Sequence, residues 1–270
     1  MVNTRSALTG QRHINTHMKQ TEDKLLLIDG DMFLYRAACA TEQEMRWDDD
    51  IWTLQTNMSE AKAEVDNQVS TIIKTLSSDD ILLLFTPKST FRHDLCSTYK
   101  ANRKNKRKPL GIAELKEWMM SEYPSKMFPN IEADDAIGIL ATSDPDSCVA
   151  VSADKDFGTL PITWYNHQRD ILKTTTLAEA NYFHLVQSLM GDATDGFPGI
   201  KGVGPRTAEK ILQKNGAHWK TVVDAYEAKG MTADDALLTA RLARILRNGE
   251  YDDETNEVNL WIPETTYERN

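Results

Sequence analysis

The chain has 270 residues, 40% of them hydrophobic and 27% charged, with a formal net charge of −10. That length and balance suit a globular protein with a well-buried core. Three scattered cysteines, Cys39, Cys96 and Cys148, form no CxxC pair, which argues against a zinc finger or a disulfide framework and fits a reducing cytoplasm.

Residues 1–22 read as a flexible polar leader, because nothing in them offers apolar surface to offset chain entropy. They contain no hydrophobic segment of the kind a secretory signal needs, and no run in the chain approaches the roughly 20 apolar residues that span a bilayer. "KLLLIDGD" (24–31) predicts a strand that stops at Asp29, and 60–76 a helix. "DDILLLFTP" (79–87) predicts a second strand, ending at Thr86-Pro87, and 111–122 a further helix. "SCVAVSADKD" (147–156) and "ITWYN" (162–166) complete a set of four. Their continuous apolar runs predict strands buried on both faces, so the fold class is α/β with a mostly parallel sheet and right-handed crossovers. From about residue 176 the pattern turns helical. Thr176 with Glu179 forms a capping box, Pro205 opens a helix, and a last helix is predicted over 233–247, ahead of Gly249. No linker marks a cut, so a core over 23–175 and a helical region over 176–270 are expected to pack as one body.

Acids gather at telling places. In an open parallel sheet, ligands collect beyond the carboxyl ends of the strands, where Asp29, Asp154 and Asp156 fall. "IEADDAIGIL" (131–140) adds Glu132, Asp134 and Asp135 at a helix start, and "GDATDG" (191–196) adds Asp192 and Asp195 on a turn. Each segment alone has a structural explanation, since acids complement helix N-termini and Asp favours turns. Together, eight carboxylates would repel one another and be driven to protonate unless cations joined them. Two Mg²⁺ or Mn²⁺ ions, hard cations with oxygen ligands, answer that need. A pair about 4 Å apart stabilises the attacking and leaving oxygens of phosphodiester hydrolysis.

Two basic features oppose the net charge. "FPGIKGVGPRTAEKIL" (197–212) looks like a helix-hairpin-helix element. Gly202 and Gly204 permit close backbone approach, while Arg206, Thr207 and Lys210 at the helix start can hold phosphates without reading bases. A nucleotide P-loop is excluded by the Gly-Pro-Arg-Thr register, and a purely structural glycine turn is the alternative. "YKANRKNKRK" (99–108) is either a solvated face or a polyanion grip. In the second reading Tyr99 stacks on an unpaired base, Lys104 meets phosphate, and Lys100 and Arg103 neutralise charge building on the scissile group.

Taken in order, "LLLIDGD", "FRHDLCSTYKANRK", "IEADDAIGIL", "VSADKDFGTLP" and "GDATDGFPGIKGVGPRTAEKIL" resemble the 5′-to-3′ exonuclease/flap endonuclease family, within it the small bacteriophage exonucleases. The resemblance implies a PIN-like core, a helical arch over about 93–128 and a hairpin gripping duplex DNA. It places one metal on Asp29, Glu132, Asp134 and Asp154, and a second toward Asp156, Asp192 and Asp195, with Asp135 close by. It matches Lys100 and Arg103 to residues that contact the reacting phosphate, and Arg36 and Arg92 to basic positions on the DNA side. It implies K⁺ in the hairpin loop and action on DNA 5′ ends, flaps and RNA–DNA hybrids in phage replication, recombination or host-DNA breakdown. The enzyme would act as a monomer, without organic cofactor or membrane. One departure stands out: the strand "ILLLF" leads in that family into an aspartate, and here into Thr86-Pro87, which predicts weaker metal affinity with activity retained.

Two rival readings are a haloacid-dehalogenase-type phosphatase, from the Asp-x-Asp of "DGDMF" (29–33), and a DNA-binding protein without catalysis. The first leaves "YKANRK" and the hairpin unexplained, and Phe33 stands where that family wants Thr or Val. The second leaves eight mutually repelling carboxylates without a purpose.

Overall fold

The computed structural model describes residues 21–103 and 106–263. Its centre is a six-stranded sheet in the order β5-β4-β1-β6-β7-β8, in which β1 (Leu25–Asp29), β4 (Ile81–Leu84), β5 (Ser125–Lys126), β6 (Cys148–Val151) and β7 (Thr163–Asn166) run parallel. β8 (Ile171–Thr174) closes one edge antiparallel to β7. The predicted apolar runs form the sheet's middle: Leu26, Leu27, Ile28, Leu83, Leu84, Val149, Ala150 and Val151 are all fully buried.

Both faces are covered, as continuous apolar strands require. On one side α1 (Gly30–Ala40), α2 (Met58–Leu76) and α4 (Ile112–Glu122) pack Phe33, Val65, Ile72, Leu115 and Met119 against Leu26, Ile28 and Leu83. On the other, the short α3 (Phe91–Leu95) and α5 (Ala133–Ser143) bring Phe91, Ala136 and Ile137 onto Leu27, Leu84 and Ala150, joined from the far end of the chain by Ile245 and Leu246. Beyond β8 follow α6 (Leu177–Met190), a small β9–β10 pair (Gly191–Asp192 with Phe197–Pro198), α7 (Pro205–Asn215), α8 (Trp219–Glu227) and α9 (Ala233–Ala243). Val186, Leu189, Leu212, Val222, Tyr226 and Ala236 give these helices a core of their own. A β11–β12 hairpin (Tyr251–Asp252 with Glu257–Val258) is the last element of the described residues. No helix among the described residues is long and apolar enough to cross a membrane.

Several expectations need correction. The described residues start at Thr21, inside the expected leader: its side chain is fully buried and donates to the Leu76 carbonyl. Residues 1–20 lie outside the described residues. An exposed antiparallel ribbon, β2 (Glu42–Asp48) with β3 (Ile51–Thr56), follows α1 and was not anticipated. The last helix ends at Ala243 instead of 247, because the chain turns extended at Arg244 to enter the core. Within the expected arch, α4 lies down on α1 and α2 through Leu115 and Met119 and does not line the cavity described next.

Candidate active site

At the carboxyl edge of the parallel strands lies a cavity of about 480 Å³. Asp29, Asp31, Glu132, Asp134, Asp154, Asp156 and Asp195 line it, together with Arg92, Lys100 and Arg103. Local structure explains each placement. Asp29 ends β1 and caps α1, its Oδ1 accepting from the Met32 amide at 3.1 Å. Asp154 ends the segment after β6 and caps a short 3₁₀ turn, accepting from the Asp156 amide at 2.8 Å. Ser152 lies between them, donating to Asp29 Oδ2 (3.4 Å) and accepting from the Asp154 amide (3.2 Å). Glu132 caps α5 and puts Asp134 in its first turn, where the amide dipole tolerates negative charge.

The carboxylates bear the marks of crowding. Burial, then Asp31 and Asp154, lift the Asp29 carboxyl to about 7. Burial and the neighbouring Asp154 do the same to Asp156, also to about 7. Asp134 is raised well above the usual range by burial and by Asp29, Asp154 and Glu132, and its Oδ1 is closed off from solvent with no hydrogen-bond partner. Glu132 behaves differently: burial opposes its ionisation, but Arg92, Lys100 and the Tyr99 hydroxyl outweigh that and hold it below the usual range. Lys100 Nζ sits 2.7 Å from Glu132 Oε1 and 3.8 Å from Asp195, to which Arg103 is also paired.

The Asp192–Asp195 turn is stitched to the segment carrying Lys100. The Lys100 amide donates to the Asp195 carbonyl (2.7 Å), Thr98 Oγ1 to the Gly196 carbonyl (2.9 Å) and Asn102 to that of Thr194 (2.8 Å). Gly196 has φ +82°, and a β-carbon there would stand 2.2 Å from the Thr98 carbonyl oxygen, so only glycine allows this approach. Asp192 does not itself line the cavity. Its Oδ1 accepts from the Thr194 and Asp195 amides, and its charge helps raise Asp156 and Asp195.

Three expected site residues serve the framework instead. The Asp135 side chain is wholly buried and points away from the cavity, accepting from Arg92 Nη1 (2.5 Å) and Nη2 (2.8 Å) and from the amides of Glu132 and Leu246, which leaves no oxygen for a metal. Arg92 is 3% exposed and donates to Asp135 and to the carbonyls of Leu242 and Arg244, so DNA cannot reach it. Tyr99, also 3% exposed, packs between His93 and Phe197 and donates to Glu132 Oε2 at 2.8 Å, a position that excludes stacking on a base. Arg36 stands on the exposed face of α1, away from the cavity lining. Lys104 lies outside the described residues. Arg107, from the same basic strip, pairs with Glu42 of the exposed ribbon.

The sequence reading missed Asp31, Tyr35, His93 and Ser152 near or in the cavity. For Asp31 the signal is its place in "DGDMF", two residues past a strand end. On the hairpin, Arg206, Thr207 and Lys210 are exposed at the start of α7. Gly202 turns with φ +82°, and a β-carbon on Gly202 or Gly204 would meet nothing within 4 Å.

The donor set fits hard divalent cations: every candidate ligand is oxygen, and the Asp134 oxygen is buried with no partner. Among the described residues no three His, Cys, Asp or Glu side chains are gathered tightly enough to hold one ion as they stand. Lys100, Arg103 and backbone amides occupy several of these oxygens instead.

The model of the 5′-3′ exonuclease N-terminal, resolvase-like domain matches residues 24–183. The chain is 30% identical to the exonuclease of Escherichia phage T7, over 90% of this chain and 95% of that protein. It is 31% identical to the exodeoxyribonuclease of Enterobacteria phage T3, over 90% and 94%. Among solved structures, the bacteriophage T5 5′-exonuclease with bound zinc ions superposes with a TM-score of 0.61 at 17% identity, covering 81% of this chain and 88% of that one. The family model spans more than half of the sequence, and the match takes in both the parallel sheet and the acids at its edge, so the chain belongs to the 5′-3′ exonuclease family.

Proposed function

We propose that this nuclease hydrolyses phosphodiester bonds at the 5′ ends of duplex DNA and at flaps, with Mg²⁺ or Mn²⁺ held in the acidic cavity. One observation carries the reading: seven carboxylates meet beside Lys100 at the carboxyl ends of the strands, with an unpartnered Asp134 oxygen among them. Asp29, Asp134 and Asp154 would hold the tighter ion, joined by Glu132 when it exchanges Lys100. Asp156 and Asp195, with Asp192 behind them, would hold the looser one. Bound there, the ions would supply charge neutralisation and an activated water. The chain's own residues do the rest. Lys100 and Arg103, paired with Glu132 and Asp195, are cations that can turn to the entering phosphate.

The exposed start of α7 supports a sequence-independent hold on the duplex backbone, with K⁺ at the adjoining loop as such hairpins imply. Action on RNA–DNA hybrids, a monomeric state and a cytoplasmic site of action belong to the same reading. A 5′-labelled duplex, flap and hybrid series with and without EDTA tests it. Short 5′ products are expected only with metal, and Asp154→Asn should abolish them while duplex binding in Ca²⁺ persists. Cleavage in EDTA, or inorganic phosphate as the sole product, would overturn the reading.

A further inference from the structure

We propose that Asp31 is a positioning carboxylate of the metal site at the β4 edge of the cavity, and that Lys116 is the counterion a divalent cation displaces from it. The inference rests on the metal-site reading above. β1 and β4 are parallel neighbours with Asp29 opposite Leu84, and the first turn of α1, which carries Asp31, follows directly and lies beside Thr86 just past the end of β4. Thr86 offers no charge there. Its hydroxyl accepts from the Ala133 amide at 3.0 Å, and its own amide donates to Asp31 Oδ2 at 2.8 Å. The β4 end therefore aims a carboxylate borrowed from α1.

The other oxygen, Oδ1, faces Lys116 Nζ at 3.6 Å. That ammonium is fixed by donating to the Thr86 carbonyl at 2.8 Å and lies 5.2 Å from the centre of the Phe85 ring. Asp31 lines the same cavity as Asp29, Asp134 and Asp154, and its side chain is about one-third exposed. A first-turn acid complements a helix dipole, but that accounts neither for the tether to β4 nor for a lysine delivered from α4. A single ammonium on a partly exposed carboxylate is a weak partner, readily replaced by a doubly charged ion.

Mn²⁺ titration followed by electron paramagnetic resonance, on the full chain without DNA, separates the possibilities. Asp31→Asn keeps an oxygen for the Thr86 amide and removes only the charge. It should weaken Mn²⁺ binding about tenfold, the scale seen when outer partners of metal ligands are lost. Lys116→Met should tighten binding, and the double variant should behave like Asp31→Asn alone. If the wild type binds Mn²⁺ and Asp31→Asn binds it equally well, the role of Asp31 is structural and the proposal falls while the metal site stands. Unchanged affinity in Lys116→Met overturns the displacement. A wild type that takes up no Mn²⁺ removes the metal site and this inference together.

Discussion

Arg92 ties together three segments remote in sequence: α3, which carries it, α5 through Asp135, and the end of α9 through the carbonyls of Leu242 and Arg244. Burial alone would discourage its charge, yet Asp135 at bidentate distance restores it and the guanidinium stays firmly protonated. Breaking such a pair from one side strands a buried charge, at a cost of about 3–5 kcal/mol. Arg92→Met is therefore expected to lower urea stability by about that amount. The variant's duplex affinity should keep its salt slope wherever it remains folded, because Arg92 touches no phosphate. A reduced slope with unchanged stability would restore Arg92 to the DNA surface. Nothing in "FRHDL" (91–95) distinguishes this arginine from a surface one, since its carboxylate partner lies 43 residues on.

At the level of elements, α7 carries the argument for DNA binding. Ala208 and Leu212 fix one face in the helical core, leaving Arg206 and Thr207 exposed in the first turn and Lys210 exposed in the second. Lys210→Ala should weaken duplex binding evenly across sequences and reduce the salt slope by about one, read from binding isotherms at several KCl concentrations. A loss confined to some sequences would mean base contacts. These helices were legible because caps and apolar spacing are local signals, and β1, β4, β6 and β7 because strands buried on both faces are apolar throughout. The β2–β3 ribbon was not. Exposed along nearly its whole length, with Trp47, Ile51 and Trp52 in solvent, it has no continuous apolar run, and its short alternations, Met45 with Trp47 and Trp52 with Leu54, mark no buried face. The acid site was legible to the extent that strand ends and helix starts dictate where carboxylates go. Which of those acids turn inward is decided by Arg92 and by the β1–β4 register, and these are tertiary facts.

Across the whole molecule, the helical region meets the path of the chain back to the sheet at His184. Its ring is 2% exposed, donates from Nε2 to the Ala240 carbonyl of α9 at 2.9 Å and meets Trp261 edge-on. Burial, with Arg244 and Arg247 nearby, depresses its pKa from 6.5 to about 3. In the folded state the imidazole therefore stays neutral down to about pH 3, while in the unfolded chain it takes a proton below 6.5. The unfolded state then binds more protons, so stability contributed by His184 is fully present above pH 6.5 and is lost as pH falls toward 3. By about pH 5 the loss should be about 2 kcal/mol. His184→Gln retains an amide donor for Ala240 and cannot titrate. Urea midpoints measured in EDTA from about pH 7.5 to 5 should show the wild type losing about 2 kcal/mol more than the variant. The buried carboxyls of Asp29 and Asp156 pull in the opposite direction but are common to both proteins, so the difference isolates His184. Equal pH slopes in the two proteins would mean that the ring is protonated in the native state, and that the contact between α6 and α9 does not require it neutral.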